Sequence, residues 1–183
     1  MKARHFLSLD DISSDELHGL LTRAIELKRK LKAGETHTPL LHKTLAMIFN
    51  KASTRTRVSF EVGMRQLGGG AINLTPTDTQ MGRGEPIEDT ARVISSMADC
   101  VMIRTDAHSQ LERFAENSCV PVINGLTDDV HPCQLLADLM TLQEVGKDLS
   151  AMCVAWVGDG NILCHSWTNA ARSLGFELRS ATP

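Results

Sequence analysis

The stretch Ser53-Thr54-Arg55-Thr56-Arg57 puts hydroxyl and guanidinium side chains on five consecutive residues, the donor set of an oxyanion site and above all of a phosphate site. Before it lies Thr44–Phe49, an apolar block of strand length. After it, Val58, Phe60, Val62, Met64 and Leu67, stopped by Gly68-Gly69-Gly70, predict a buried helix from 54 to 67. The motif therefore opens a helix. There the first backbone N–H groups lack intrahelical partners and the dipole favours negative charge, so an anion can take those donors, the hydroxyls and an arginine fork together. The alternative is an N-cap Ser53 followed by a solvated basic turn.

Further polar residues stand where other elements begin or end. Arg104 closes the apolar run Asp99–Ile103, and His131-Pro132-Cys133-Gln134 opens an amphipathic stretch. Gln80 lies in the loop Thr79-Gln80-Met81-Gly82-Arg83-Gly84-Glu85, before Pro86 at a first helical position. Taken singly, His131 could be a capping imidazole, Arg104 half of a surface ion pair and Gln80 a plain loop residue. Taken together, two arginines, hydroxyls, an imidazole and an amide suit a small ligand with phosphate at one end and a polarizable carbonyl at the other.

The elements that must position them alternate between strand and helix. Ser13-Ser14-Asp15-Glu16 forms an N-cap with a capping box, and leucines at helical spacing continue to Gly34. Strand 44–49 leads to helix 54–67, strand 71–74 to helix 87–97, strand 100–103 to a helix near 109–117, and strand 120–123 through a polar loop to helix 132–145. This pattern predicts an α/β fold, a parallel sheet flanked by helices, with ligands outside the carboxyl ends of its strands. From about residue 150 a second unit follows: strand Met152–Val157, the turn Gly158-Asp159-Gly160-Asn161, helix 162–174 closed by Gly175, and strand Phe176–Ala181. One such β-α-β unit cannot bury a core by itself, so the chain is expected to divide into 1–147 and 148–183, the latter the incomplete start of a second α/β domain. The alternative is that this unit extends the first sheet.

Composition is that of a soluble globular protein: 183 residues, 42% hydrophobic and 22% charged. A net charge of -3 argues against a nucleic-acid-binding surface. Five cysteines (100, 119, 133, 153 and 164) lack Cys-x-x-Cys spacing, which suits a reducing cytoplasm, and no metal site is expected. No segment has the length and apolarity of a membrane span, and the basic start is followed by Asp10, Asp11 and Asp15 rather than a leader's apolar core.

Phe49-Asn50-Lys51-Ala52-Ser53-Thr54-Arg55-Thr56-Arg57-Val58-Ser59-Phe60-Glu61 resembles the carbamoyl phosphate signature of the aspartate and ornithine carbamoyltransferases, and His131-Pro132-Cys133-Gln134 resembles their second motif. Cys133, and Gln80 in place of a lysine, resemble the ornithine branch. The resemblance implies that Ser53, Thr54, Arg55 and Thr56 hold phosphate, with Gln80 supplied across a subunit interface of a homotrimer and Arg57 bracing the motif. It implies that Arg104, His131 and Gln134, with Pro132 and Cys133, form the carbamoyl end, and that Arg55, Arg104 and His131 are the catalytic set. The implied reaction transfers the carbamoyl group of carbamoyl phosphate to the side-chain amine of L-ornithine, without metal or organic cofactor. Other acceptors (putrescine, acetylated ornithine, aspartate) and a non-catalytic anion-binding module are the competing readings.

Two departures from the family pattern bear on the acceptor. Where the family carries Gly-Asp-Gly-Asn-Asn, this chain has Asn161 followed by Ile162, which cannot hydrogen-bond ornithine through its side chain. The Asp-x-x-x-Ser-Met-Gly and His-Cys-Leu-Pro motifs that complete the family's site do not occur, so the chain is expected to be an N-terminal portion with little turnover of its own.

Overall fold

The computed structural model describes residues 3–75, 77, 79–80 and 84–183. Helix α1 (Ser14–Lys32) starts where the sequence says it must: Ser13 Oγ accepts from the Glu16 amide, and the Glu16 carboxylate accepts from the Ser13 amide at 2.8 Å. Four strands then form one parallel sheet in the order β2-β1-β3-β4: β1 (Thr44–Phe49), β2 (Gly70–Leu74), β3 (Cys100–Arg104) and β4 (Val122–Leu126). The connecting helices are α2 (Thr54–Gln66), α3 (Ile87–Ser95) and α4 (His108–Glu116), with α5 (Pro132–Glu144) after β4.

Alternation along β1 explains the layers. Leu45, Met47 and Phe49 face one side, where they pack with Met102 and with Phe60 and Met64 of α2. Ala46 and Ile48 face the other, where Val101, Ile103, Leu111 and Phe114 close the core beneath α3 and α4. Both faces are thus covered, which is why the strands read as apolar runs. Because β1 connects outward to β2 on one side and has β3 on its other, the order in which strands are added reverses between β1 and β3, although all four run parallel. The crevice beyond their carboxyl ends is where such sheets bind ligands.

Three expectations are corrected. The sequence suggests a strand at 120–123 and then a polar loop; the strand instead starts at Val122 and runs on through Asn124-Gly125 to Leu126. Asn124 is 0% exposed, with its side-chain NH₂ donating to the Leu7 carbonyl at 2.8 Å and its side-chain oxygen accepting from the Leu126 backbone N–H at 2.8 Å. Gly125 is required by packing, since a Cβ there would collide with the Met102 sulfur and lie 3.2 Å from the Ile103 carbonyl. The segment at Phe6 also bonds to β4 in parallel, covering its edge in a way that no local pattern signals.

The second correction concerns α2, which has no fully buried residue. Its apolar residues divide between two faces: Phe60 and Met64 lean on the sheet, while Val58 and Val62 are 53% and 43% exposed. Pro86 stands one position ahead of α3, as its N-cap residue.

The last unit comprises β5 (Cys153–Val157), α6 (Ile162–Leu174) and β6 (Glu177–Ala181). Strands β5 and β6 pair in parallel as a sheet separate from the first, so the unit does not extend it. Gly175 ends α6 in the left-handed conformation, φ 78°. The unit leans on its neighbours for a core: Ala170, Leu174 and Phe176 pack with Leu17 and Leu21 of α1 and Leu135 and Leu139 of α5. Its outer sheet face is open, with Val157 82% exposed. Among the described residues no helix is long and apolar enough to cross a membrane.

Candidate anion-binding active site

Ser53 occupies the N-cap position of α2, yet its side chain makes no capping bond. Its hydroxyl oxygen accepts instead from Arg104 Nη1 at 3.0 Å, and the same nitrogen donates to Thr56 Oγ1 at 3.1 Å. The plain N-cap reading of Ser53 is thereby set aside. The first turn of α2 keeps its backbone donors uncapped while a guanidinium from the neighbouring strand is drawn across it. That is the arrangement an oxyanion needs at a helix N-terminus.

Arg104 reaches this position because it is the last residue of β3, where the register to β4 shifts between Ile103 and Arg104. It is partly buried, and its Nε has no partner among the described residues. The loop carrying the cradle is stapled to the loop after Arg104. The Asn50 amide donates to the Arg104 carbonyl at 2.9 Å, and the Asn50 side chain to Thr105 Oγ1 at 2.9 Å. Lys51 pairs with Asp106, which raises the lysine pKa. The Asp128 amide in turn donates to the Asp106 carbonyl at 2.8 Å, drawing in the loop after β4.

That third loop supplies His131, the N-cap residue of α5, with Pro132 as the first helical residue. The imidazole does not cap the helix, so the capping alternative fails here as well. Its Nδ1 is buried and unbonded among the described residues. Burial, and secondarily the Arg104 charge, lower its pKa to about 4, so the ring is neutral at neutral pH. A neutral imidazole offers one N–H donor and one acceptor. Cys133 donates its thiol to the Asn124 carbonyl at 3.3 Å, and burial pushes that thiol up to about 12, which leaves it a packing residue rather than a nucleophile.

Ser53, Thr54, Arg55, Thr56, Arg104, His131, Cys133 and Gln134 all line one cleft of about 720 Å³. Arg55 is exposed and has no hydrogen bond or ion pair among the described residues, leaving its guanidinium available to a ligand. Gln134 donates to Asp138 at 2.9 Å. Arg57 is not among the lining residues and lies 3.9 Å from Glu61 on the same helix.

Asn161 and Ile162 form the far wall with Leu163. Asn161 caps α6, its side-chain oxygen accepting from the Leu163 and Cys164 amides at 3.0 and 3.3 Å, so only its NH₂ remains for a ligand. Gln80 is exposed and does not line this cleft. Met81, Gly82 and Arg83 of its loop lie outside the described residues.

The cleft also contains residues that motif reading does not single out. Phe60, Leu126 and Ala137 supply its apolar surface. Only the helical phase of Phe60 and Ala137 could have signalled this; Leu126 depends on the continuation of β4. A separate groove of about 580 Å³, lined by Leu40, Leu45, Phe60 and Met64, lies toward the amino ends of β1 and β3 and is largely apolar.

A parallel α/β sheet with an uncapped helix start, a bridging arginine and a neutral imidazole at its switch point defines a binding protein for a small phosphorylated or carboxylated molecule. Comparison with known proteins narrows the class. The chain matches the aspartate/ornithine carbamoyltransferase, carbamoyl-P binding domain, over residues 4–144, and it belongs to that family. A curated relative from Hydrogenovibrio crunogenus, named ornithine carbamoyltransferase, is 61% identical over the whole of this chain and 61% of its own length. One of the same name from Halorhodospira halophila is 61% identical over 98% of this chain and 60% of its own. The chain thus spans about 60% of the length of these relatives.

Among solved structures, the ornithine carbamoyltransferase from Burkholderia thailandensis superposes with a TM-score of 0.95 at 53% identity, over 98% of this chain and 62% of that one. The catalytic subunit of M. jannaschii aspartate transcarbamoylase superposes with a TM-score of 0.86 at 32% identity, over 98% of this chain and 60% of that one. The shared architecture therefore spans relatives named for two different acceptors.

Proposed function

We propose that this protein binds carbamoyl phosphate in the cleft and transfers its carbamoyl group to the side-chain amine of L-ornithine, giving L-citrulline and phosphate. The observation that carries the reading is the Arg104 fork on Ser53 and Thr56 over an uncapped helix start, with neutral His131 on the same cleft wall. Residues 1–147 act as the carbamoyl phosphate-binding domain, and 148–183 open the acceptor domain. The match over 4–144 and the separate second sheet support this division.

In this reading the phosphate sits on the first turn of α2 against Ser53, Thr54, Arg55 and Thr56, with the carbamoyl group toward Arg104, His131 and Gln134. The neutral amine of ornithine attacks the carbonyl carbon, and the C=O electron pair moves onto oxygen. Arg104 and the His131 N–H stabilise that oxyanion as preorganised donors. Collapse re-forms the carbonyl and breaks the bond to the phosphate oxygen. The departing phosphate keeps the electron pair of the broken bond on its own oxygen, where the Arg55 and Arg104 charges stabilise it, and the amine loses its proton to phosphate or solvent. Holding both reactants in one cleft supplies much of the remaining acceleration. The reaction calls on no metal or organic cofactor.

Gln80, exposed and away from its own cleft, serves a neighbouring subunit in a homotrimer, and the exposed Val58 and Val62 on α2 supply apolar surface for that contact. The protein works in the cytoplasm. A different acceptor is the second reading, favoured by one observation: Ile162 lines the acceptor wall and offers no side-chain hydrogen bond, while the Asn161 oxygen is committed to capping α6.

Calorimetry tests the donor. Carbamoyl phosphate should bind more tightly than inorganic phosphate, and Arg55→Ala should weaken both by about 1.5 to 3 kcal/mol through loss of a charge-assisted contact. Equal affinity for the two anions would refute the carbamoyl reading. Citrulline formation by the product of the intact gene, compared with turnover on putrescine, acetylornithine and aspartate, decides the acceptor.

A further inference from the structure

His131 presents a problem of positioning. Its ring makes no hydrogen bond among the described residues, and as the N-cap residue it lies outside the regular helix, at φ -131° and ψ 74°. Neither its own side chain nor a helical ladder bond to its N–H holds it. The backbone amide is held instead from the other unit of the chain: the His131 N–H donates to Ser166 Oγ at 2.8 Å.

Ser166 is 1% exposed and lies one turn into α6. Its hydroxyl donates to the Ile162 carbonyl at 2.8 Å while accepting from His131, so its one proton and one of its lone pairs are both used. Ile162 is the residue that lines the acceptor wall of the cleft. The preceding residue reinforces the contact, His165 Nδ1 lying 3.2 Å from the Asp129 carbonyl. A single buried hydroxyl therefore links the backbone of the imidazole on one wall to the first turn of the helix that forms the opposite wall.

We propose that Ser166 is a positioning residue for the carbamoyl end of the donor, holding His131 in register with the amino-terminal turn of α6. The assignment rests on the carbamoyl phosphate reading of the cleft. Ser166 lies outside the set that lines the cleft and acts through His131 and Ile162, which do line it. The phosphate cradle at Ser53–Thr56 belongs to other loops and does not depend on it. Ser166 therefore governs the preference for carbamoyl phosphate over phosphate, and not anion affinity as such.

The test measures both anions by calorimetry on wild type and on Ser166→Ala, with Thr168→Ala as control. Thr168 makes the same kind of intrahelical bond, to the Cys164 carbonyl at 3.0 Å, without reaching residues 129–131. Ser166→Ala should lose carbamoyl phosphate affinity by about three- to tenfold, the range of one net hydrogen bond, while keeping its affinity for inorganic phosphate. Thr168→Ala should change neither. Equal loss for both anions, or loss for neither, overturns the assignment. If Ser166→Ala does not fold, Ser166→Cys takes its place: the thiol is a weaker acceptor of similar shape and should give a smaller loss confined to carbamoyl phosphate. An unchanged preference in that variant overturns the assignment. A wild-type protein that binds both anions alike overturns the carbamoyl phosphate reading and this assignment with it.

Discussion

The role proposed for His131 depends on its protonation state. In the unfolded chain its imidazole titrates near the ordinary 6.5, and in the folded protein burial and the Arg104 charge bring it to about 4. Between those values the unfolded state binds more protons, so the stability this group permits is complete above pH 6.5 and falls as pH drops toward 4. Urea denaturation at pH 7 and pH 5 should show wild type losing more stability on acidification than His131→Gln, which has no group to titrate. An equal loss in the two proteins would mean that the ring is already charged in the folded state. At the same scale the sequence singled out most of the polar side chains that line the cleft, and not its apolar ones, Phe60, Leu126 and Ala137. It left the partners open: Ser53 was read as an anion ligand with an N-cap as the alternative, and its actual partner is Arg104, which lies 51 residues away in sequence.

At the scale of the element, local rules were reliable where the controlling contacts are local. The capping box at Ser13 and Glu16 is complete, and Ser13→Ala should destabilise the protein by about 1 kcal/mol, read as a lower denaturant midpoint at unchanged slope. Helix α6 begins at Ile162 and stops at Gly175, as its own residues require. Local rules failed at β4, where Asn124-Gly125, read as loop, became strand because Leu7 satisfies Asn124 and Met102 needs the space that Gly125 leaves. They failed again at α2, where apolar residues at every second position must occupy both sides of a helix and so cannot all face one core.

At the scale of the whole molecule, α2 is the least enclosed helix beside the cleft, with Val58 and Val62 exposed one turn apart and Arg55 on the same helix facing the ligand site. If three subunits assemble through this helix, light scattering should give about three times the 20.0 kDa of one chain. Val58→Asp combined with Val62→Asp should then reduce it toward a single chain. A wild-type protein that remains monomeric at high concentration would remove the subunit role proposed for Gln80. The second unit shows a complementary dependence: its strands form their own sheet, but its helix is buried only because α1 and α5 provide the other half of the core.

What this sequence determined by itself was the set of local decisions: where helices start and stop, which runs form buried strands, and which short stretch, Ser53 to Thr56, could cradle a phosphate. Those follow from neighbouring residues and from two short periodicities, and an unfolded chain already contains them. The tertiary structure alone decided which donor meets which acceptor. The Ser53 hydroxyl faces Arg104 rather than its own helix, the His131 amide is held by Ser166, and Asn124 is buried by a segment more than a hundred residues earlier. Such pairings depend on how the sheet brings distant loops to one edge, and hydrogen bonds form only over the few ångströms that this packing sets.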